Sequence, residues 1–223
     1  AARQDRIGNP FGIRMTEPRS TPAVPSRQTA AAPTWARWSI LGCSLLLFGY
    51  STLRAITVSF SWDESWTYIH HVLPGIYFQQ VHDQMGGNHH LLNVWGMIFF
   101  HRLLGDSELV LRLPNLLAHV IFLYATARLA MCAPRGPTAI ATFLLLNLHP
   151  YLLDFFSLAR GYGSACGWMM LSLWLAFRFY AGGGRTKHLA WATMAALLAA
   201  ISHVIMLTYL LAFASVLTGI GLA

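Results

Sequence analysis

The sequence predicts an all-α, polytopic transmembrane helix bundle, and three observations carry that expectation. Of 223 residues, 56% are hydrophobic and only 10% are charged, with a mean hydropathy of +0.50; soluble domains run to roughly 45–50% apolar and about 25% charged. The apolar residues fall into blocks close to the ~20 residues that cross a hydrocarbon layer as a helix. Basic and acidic residues alternate between the ends of those blocks, as the positive-inside rule requires. Five spans are expected, at about 38–60, 109–129, 138–158, 164–180 and 189–206, with a partial sixth begun by the last residues. A soluble globular enzyme does not have this balance. An aromatic content of 13% and long Leu, Ala and Phe runs exclude disorder beyond the first few dozen residues. The formal charge of +7 does not point to nucleic acid, because the basic residues are scattered and form no stripe. Cys43, Cys132 and Cys166 lie in or beside apolar stretches without CxxC spacing, so they read as small buried residues.

Residues 1–37 form a basic, Pro-rich tail, with five prolines and six arginines against Asp5 and Glu17. A tail of this composition takes up order only against something laid on it. The following span, 38–60, is expected to stay uncleaved, because the basic region is long and no A-x-A site follows Leu53. Arg128 and Arg135 flank one turn, and Arg178, Arg185 and Lys187 flank another. Asp63, Glu64, Asp83, Asp106, Glu108 and Asp154 lie near the alternate ends. The tail and both basic turns therefore go to the cytoplasm, and segment 61–108 goes outside.

That outer segment does not read as an ordinary loop. Ser61-Trp62-Asp63-Glu64 has the S-x-x-E form of a capping box, so a helix is expected from Trp62 to about Val72, before Pro74. A second helix, 88–103, carries Leu91, Leu92, Trp95, Ile98 and Phe99 at 3–4 residue spacing until Gly105-Asp106-Ser107 breaks it. Both are too short and polar to span, and are expected to lie along the outer interface.

Asp63 and Glu64 project about 100° apart on a helix, so they cannot act as one pair. Glu64 has a capping role open to it, which leaves Asp63 as the carboxylate able to take a proton from a hydroxyl. Histidines 70, 71, 82, 89, 90 and 101 crowd into the same segment. A divalent metal site is conceivable there, but the pairs are adjacent rather than spaced i, i+4, and no HExxH occurs; the alternative is interfacial histidines satisfied by water and headgroups. His119 and His149 leave open a bis-His haem reading. Arg112, Asp154, Arg160 and His203 lie at the outer ends of apolar blocks, where ionisable residues are costly and face a cavity or a partner. Two readings fit: a guanidinium site for a lipid phosphate, or snorkelling with a pair such as Asp154 and Arg160.

SFSWDESWTYIHHVL, GGNHHLLNVWGMIFFHRLLGDSELVLRLPNLL, LYATARLA and LLDFFSLARGYGSACGWMMLSLWLAFRFY, in that order, resemble the N-terminal half of GT-C type membrane glycosyltransferases, in the group of the protein mannosyltransferases and the lipid A aminoarabinose transferases. The resemblance covers roughly residues 38–205. It rests on Asp63-Glu64 after the first span, the two juxtamembrane helices, Leu104-Gly105-Asp106-Ser107-Glu108 and Arg112-Leu113-Pro114-Asn115. It implies transfer of a sugar from a polyprenyl-phosphate donor to an acceptor hydroxyl at the periplasmic face of a bacterial inner membrane. Asp63 would be the catalytic base. The implied substrate contacts are Glu64, Tyr68, His89, His90, Arg112, Asp154, Arg160, Tyr162 and His203. The implied partners are membrane lipid and the lipid-linked donor; no cofactor is certain beyond the possible divalent metal. His89-His90 stands where many relatives carry Pro-Pro. The family continues with further spans and an outer domain, so a chain ending at Ala223 is expected to be either part of a longer protein or a shortened relative. An alternative function follows: a non-catalytic structural subunit of a membrane complex, with a protein partner ordering residues 1–37.

Overall fold

The computed structural model describes residues 32–78, 90–182 and 184–221. Residues 1–31, which hold most of the basic tail and the expected partner contact, lie outside the described residues. So do His82, Asp83 and His89. Every regular element among the described residues is a helix: α1 (Thr34–Thr57), α2 (Trp62–Thr67), a π-helical turn (Tyr68–Val72), α3 (Leu91–Leu104), α4 (Glu108–Ala130), α5 (Gly136–Asn147), α6 (Pro150–Ser157), α7 (Gly161–Ala181), α8 (Thr186–Ser202) and α9 (Met206–Gly221).

Helix α1 starts four residues before the expected span, directly after Pro33, whose fixed φ suits the residue that precedes a helix. The expected outer helix is present as α2 and the π turn together. Its entry is held by the Ser61 N–H, which donates to Glu64 Oε2 at 2.8 Å. Trp62, Trp66 and His70 stack in sequence along it, with centroids 5.4 and 3.8 Å apart, because i, i+4 side chains share a face. Helix α4 opens on Ser107, whose hydroxyl accepts from the Val110 N–H.

α4 is the centre of the bundle and packs on α1, α3, α5, α6 and α7. Phe122 and Ala125 of α4 meet Phe156 of α6 and Trp174 of α7, while Leu123 meets Ile40 of α1 and Phe143 of α5. α7 lies close against α4 because Gly167 has no side chain: a Cβ there would stand 2.7 Å from the Ala118 carbonyl. α8 packs along α7 and is backed by α9, with Phe213 on Ala192 and Ala196.

Among the described residues two helices, α1 and α4, are long and apolar enough to cross a membrane. The expected single span 138–158 is instead α5 and α6, bent by 61° at Leu148 and His149; counted together they make a third. Pro150 causes the break, since it supplies no N–H and pushes the residue before it out of the helical region. Asn147 closes the end of α5 on the Phe143 carbonyl at 2.7 Å and bonds Thr126 of α4 at 3.1 Å. The expected five full spans are therefore two, or three with the bent pair, by length and composition. α7 is diluted by Gly161, Gly163, Ser164, Gly167, Ser172 and Arg178, and α8 has only 17 residues, about 26 Å against a hydrocarbon layer of about 30 Å.

Candidate functional site

At the end of the bundle where α1, α6 and α8 finish and α2, α4 and α7 begin, a narrow cleft is lined by Asp63, Thr67, His90, Ala159, Arg160 and Tyr162. Asp63 Oδ2 and Arg160 Nη2 stand 2.8 Å apart at its mouth, each side chain about one-third exposed, at 35% and 30%. The aromatic wall is a set of stacked rings. His90 lies 5.4 Å from Tyr162 and 4.7 Å from His203; Tyr162 lies 4.3 Å from His203 and 4.8 Å from Phe155, centroid to centroid. His203 is buried behind the wall, and its Nδ1 accepts from the Ile205 N–H at 3.1 Å.

The short connection from α6 to α7 places Arg160, and three buried polar side chains from three other helices pin its backbone. Glu64 Oε1 accepts from the Ala159 N–H at 2.6 Å, and Asn93 Nδ2 donates to the Ala159 carbonyl at 3.0 Å. Asn115 Nδ2 donates to the carbonyls of Leu158 and Arg160, while its Oδ1 accepts from both the backbone N–H and the hydroxyl of Ser164. Buried backbone groups in a loop require such partners. Here those partners also fix where the guanidinium starts.

Glu64 and Arg112 form the support beneath the cleft. Both side chains have no exposed surface, at 0% each. Arg112 spends all five of its donors on the protein: Nε and Nη2 on the two oxygens of Glu64 at 2.9 and 3.0 Å, Nη1 on the carbonyls of Ala55 and Val58, and Nη2 also on Ser59. It thereby gives partners to the carbonyl of Ala55 in the last turn of α1 and to those of Val58 and Ser59 just after it. The expectation that Arg112 and Glu64 touch substrate gives way to this arrangement, since a guanidinium with every donor filled offers none to a phosphate. Burial by itself pushes the Glu64 carboxyl up. The Arg112 hydrogen bonds and the N–H groups of Ala159 and Ser61 outweigh it and hold the carboxyl below its ordinary value.

Other expected residues fall elsewhere. Asp154 pairs with Arg54 Nη2 at 2.8 Å rather than with Arg160, which answers the snorkelling alternative with a different partner for each. Tyr68 faces away from the cleft, edge-on to Phe60 and His101; burial and the Asp106 carboxylate push its hydroxyl above the ordinary tyrosine range. His119 is buried and stacked on Phe156 at 4.4 Å, in a core contact, and His149 lies at the α5–α6 break beside Tyr151. Among the described residues no group of three His, Cys, Asp or Glu is close enough to hold a metal ion. Asp63, His90, Arg160, Tyr162 and His203 are thus the expected residues that do come together.

Gly161 is what lets α7 begin so close to the cleft. A Cβ there would lie 2.5 Å from His90 and from the Ser202 carbonyl, and the latter is backbone that cannot swing aside. Gly161→Ala should cost about 1–3 kcal/mol of stability, the usual range for overpacking, and move Arg160 off Asp63. Thermal unfolding in detergent checks it; a variant as stable as the parent would mean that the α7 start is not tightly held.

Sequence reasoning gave Asn93 and Asn115 no role in the site, although Asn115 closes the Arg112-Leu113-Pro114-Asn115 run. The available signal was an asparagine inside each of two otherwise apolar helical stretches, where an unpaired amide is costly and so marks a buried partner.

Comparison of the chain with family models, with curated proteins and with solved structures finds no match. The functional reading accordingly rests on the geometry of the cleft and on the order of motifs in the sequence.

Proposed function

We propose that the chain is an integral membrane glycosyltransferase that moves a sugar from a polyprenyl-phosphate donor to an acceptor hydroxyl, with Asp63 as base and Arg160 as the cation for the donor phosphate. The observation that carries this reading is the Asp63–Arg160 pair at the mouth of a cleft with an aromatic wall, at one end of an apolar helix bundle. In the transfer, the acceptor hydroxyl proton passes to the Asp63 carboxylate as the acceptor oxygen bonds to the anomeric carbon. The bond from that carbon to the phosphate oxygen breaks with both electrons going to the phosphate, whose charge Arg160 offsets. The His90 and Tyr162 rings line the cleft beside the pair. The possible divalent metal of the sequence reading enters no step here.

This reading places the cleft on the periplasmic side of a bacterial inner membrane with the N-terminus in the cytoplasm. α1, α4, the α5–α6 pair, α7 and α8 cross the membrane, and α2 and α3 lie along the outer interface. Exposed Trp62 on α2, Ile69 on the π turn that continues it, and Phe99 and Leu103 on α3 support the interfacial placement. A cysteine introduced at residue 184 should react with an impermeant maleimide only from the cytoplasm, and one at residue 86 only from outside. The reverse pattern sinks the topology.

The test of function is turnover by purified protein in lipid nanodiscs with polyprenyl-phosphate sugars and a mixture of hydroxyl acceptors. Release of polyprenyl phosphate is the expected result. No release with any donor moves the reading to a structural subunit of a larger membrane assembly, which one observation favours: the cleft encloses only about 40 Å³.

A further inference from the structure

Arg160 Nη2 and Asp63 Oδ2 meet at 2.8 Å, so one donor of the guanidinium and one oxygen of the carboxylate are committed to each other, and a phosphate that takes the guanidinium's planar fork has to displace that contact. With the pair closed, the cleft encloses about 40 Å³, room for two or three waters and not for a sugar ring.

The backbone on both sides is anchored. Asn93, Asn115 and Glu64 pin residues 158–160, and the bond from the Ser61 N–H to Glu64 fixes the start of α2 next to Asp63. Opening therefore falls to the two side chains: each is about one-third exposed, and no hydrogen bond from the buried Arg160 Nε ties the guanidinium to its place. An ion pair at a partly solvated rim is weakly held. The donor's phosphodiester carries its charge on two free oxygens that match the guanidinium's planar fork, whereas the Asp63 carboxylate meets it through one contact.

We infer that the Asp63–Arg160 pair is an exchange latch: a lipid-linked phosphate takes Arg160 away from Asp63, so the base is released and the cleft opens only when that phosphate is in place. The inference rests on the reading of the cleft as a donor-phosphate site and adds the order of events to it. Two anions, the Asp63 carboxylate and the ligand's phosphate, compete for one cation. Deleting one of them must therefore strengthen the binding of the other, even though the deleted group is the catalytic base.

The experiment is calorimetric titration of the full chain in nanodiscs with farnesyl phosphate, with farnesol as the uncharged control and inorganic phosphate as the lipid-free one. Asp63→Asn should bind farnesyl phosphate roughly 3- to 10-fold more tightly than wild type, since it lacks both the competing anion and its repulsion of the ligand. Asp63→Ser, equally small and neutral, should show the same gain, which guards against one variant folding poorly. In an Arg160→Gln background the gain should vanish. Tighter binding of farnesyl phosphate but not of inorganic phosphate assigns the latch to a lipid-linked ligand; the same gain for both assigns it to any phosphate, and overturns the lipid part of the proposal. Wild-type binding of farnesyl phosphate over farnesol, with both Asp63 variants equal to or weaker than wild type, refutes the latch and leaves the donor site standing. No preference for farnesyl phosphate over farnesol in the wild type refutes both.

Discussion

Arg112→Ala lowers the unfolding free energy by about 3–5 kcal/mol, the range for removing one partner of a buried ion pair. The size follows from what is left behind. Glu64 would keep its charge with no exposed surface and lose two of its hydrogen bonds, and the carbonyls of Ala55, Val58 and Ser59 would lose their shared donor. Replacing Arg112 and Glu64 together by Leu should cost less than Arg112→Ala alone, because no buried charge is then orphaned, although the carbonyls of Ala55, Val58 and Ser59 and the N–H groups of Ser61 and Ala159 lose their side-chain partners. Arg112→Lys keeps the charge but has three donors on one atom instead of a planar fork, so its loss should fall near that of Ala. Chemical unfolding in detergent micelles measures all three, and a loss below about 1 kcal/mol for Arg112→Ala would show that the pair is not the support described. The pH dependence has a definite sign. The folded pKa of Glu64 lies below its ordinary 4.5, so the pair's contribution is complete above that value and is lost as pH falls through the lower folded value. The acid limb of the stability curve should be missing in Glu64→Gln.

Asp63→Asn should reduce turnover by about 10²–10⁴, the usual worth of a general base, while leaving thermal stability close to wild type. The stability expectation comes from position. Asp63 is about one-third exposed and makes its ion pair at the rim, where such pairs contribute roughly 0–1 kcal/mol. Arg160→Gln should also reduce turnover but should in addition raise KM for the donor, because the phosphate is already bound before the bond breaks. Steady-state kinetics with a polyprenyl-phosphate sugar separates the two. Turnover unchanged in Asp63→Asn would remove this carboxylate from the mechanism. A loss in Arg160→Gln confined to kcat would mean that Arg160 acts only on the charge that develops as the phosphate departs.

The sequence by itself determined the helical class, the position of most helices and the short helix that carries Asp63. These depend on local signals: apolar block length, Ser61 and Glu64 at capping-box spacing, and Gly105-Asp106-Ser107 as a break. Pro150 was an equally local signal, and its break of the 138–158 block follows from proline geometry alone. What only the tertiary structure decided was the pairing of charges. Arg112 and Arg160 both stand near the ends of apolar blocks and look alike in the sequence, yet one closes on Glu64, 48 residues earlier in the chain, with every donor filled, and the other meets Asp63 at the rim. Asp154 is six residues from Arg160 and pairs instead with Arg54 on α1. A charge near a membrane boundary is satisfied by whichever helix end the bundle brings beside it, and that depends on close approaches such as Gly161 on His90 and Gly167 on Ala118, which join residues far apart in the chain.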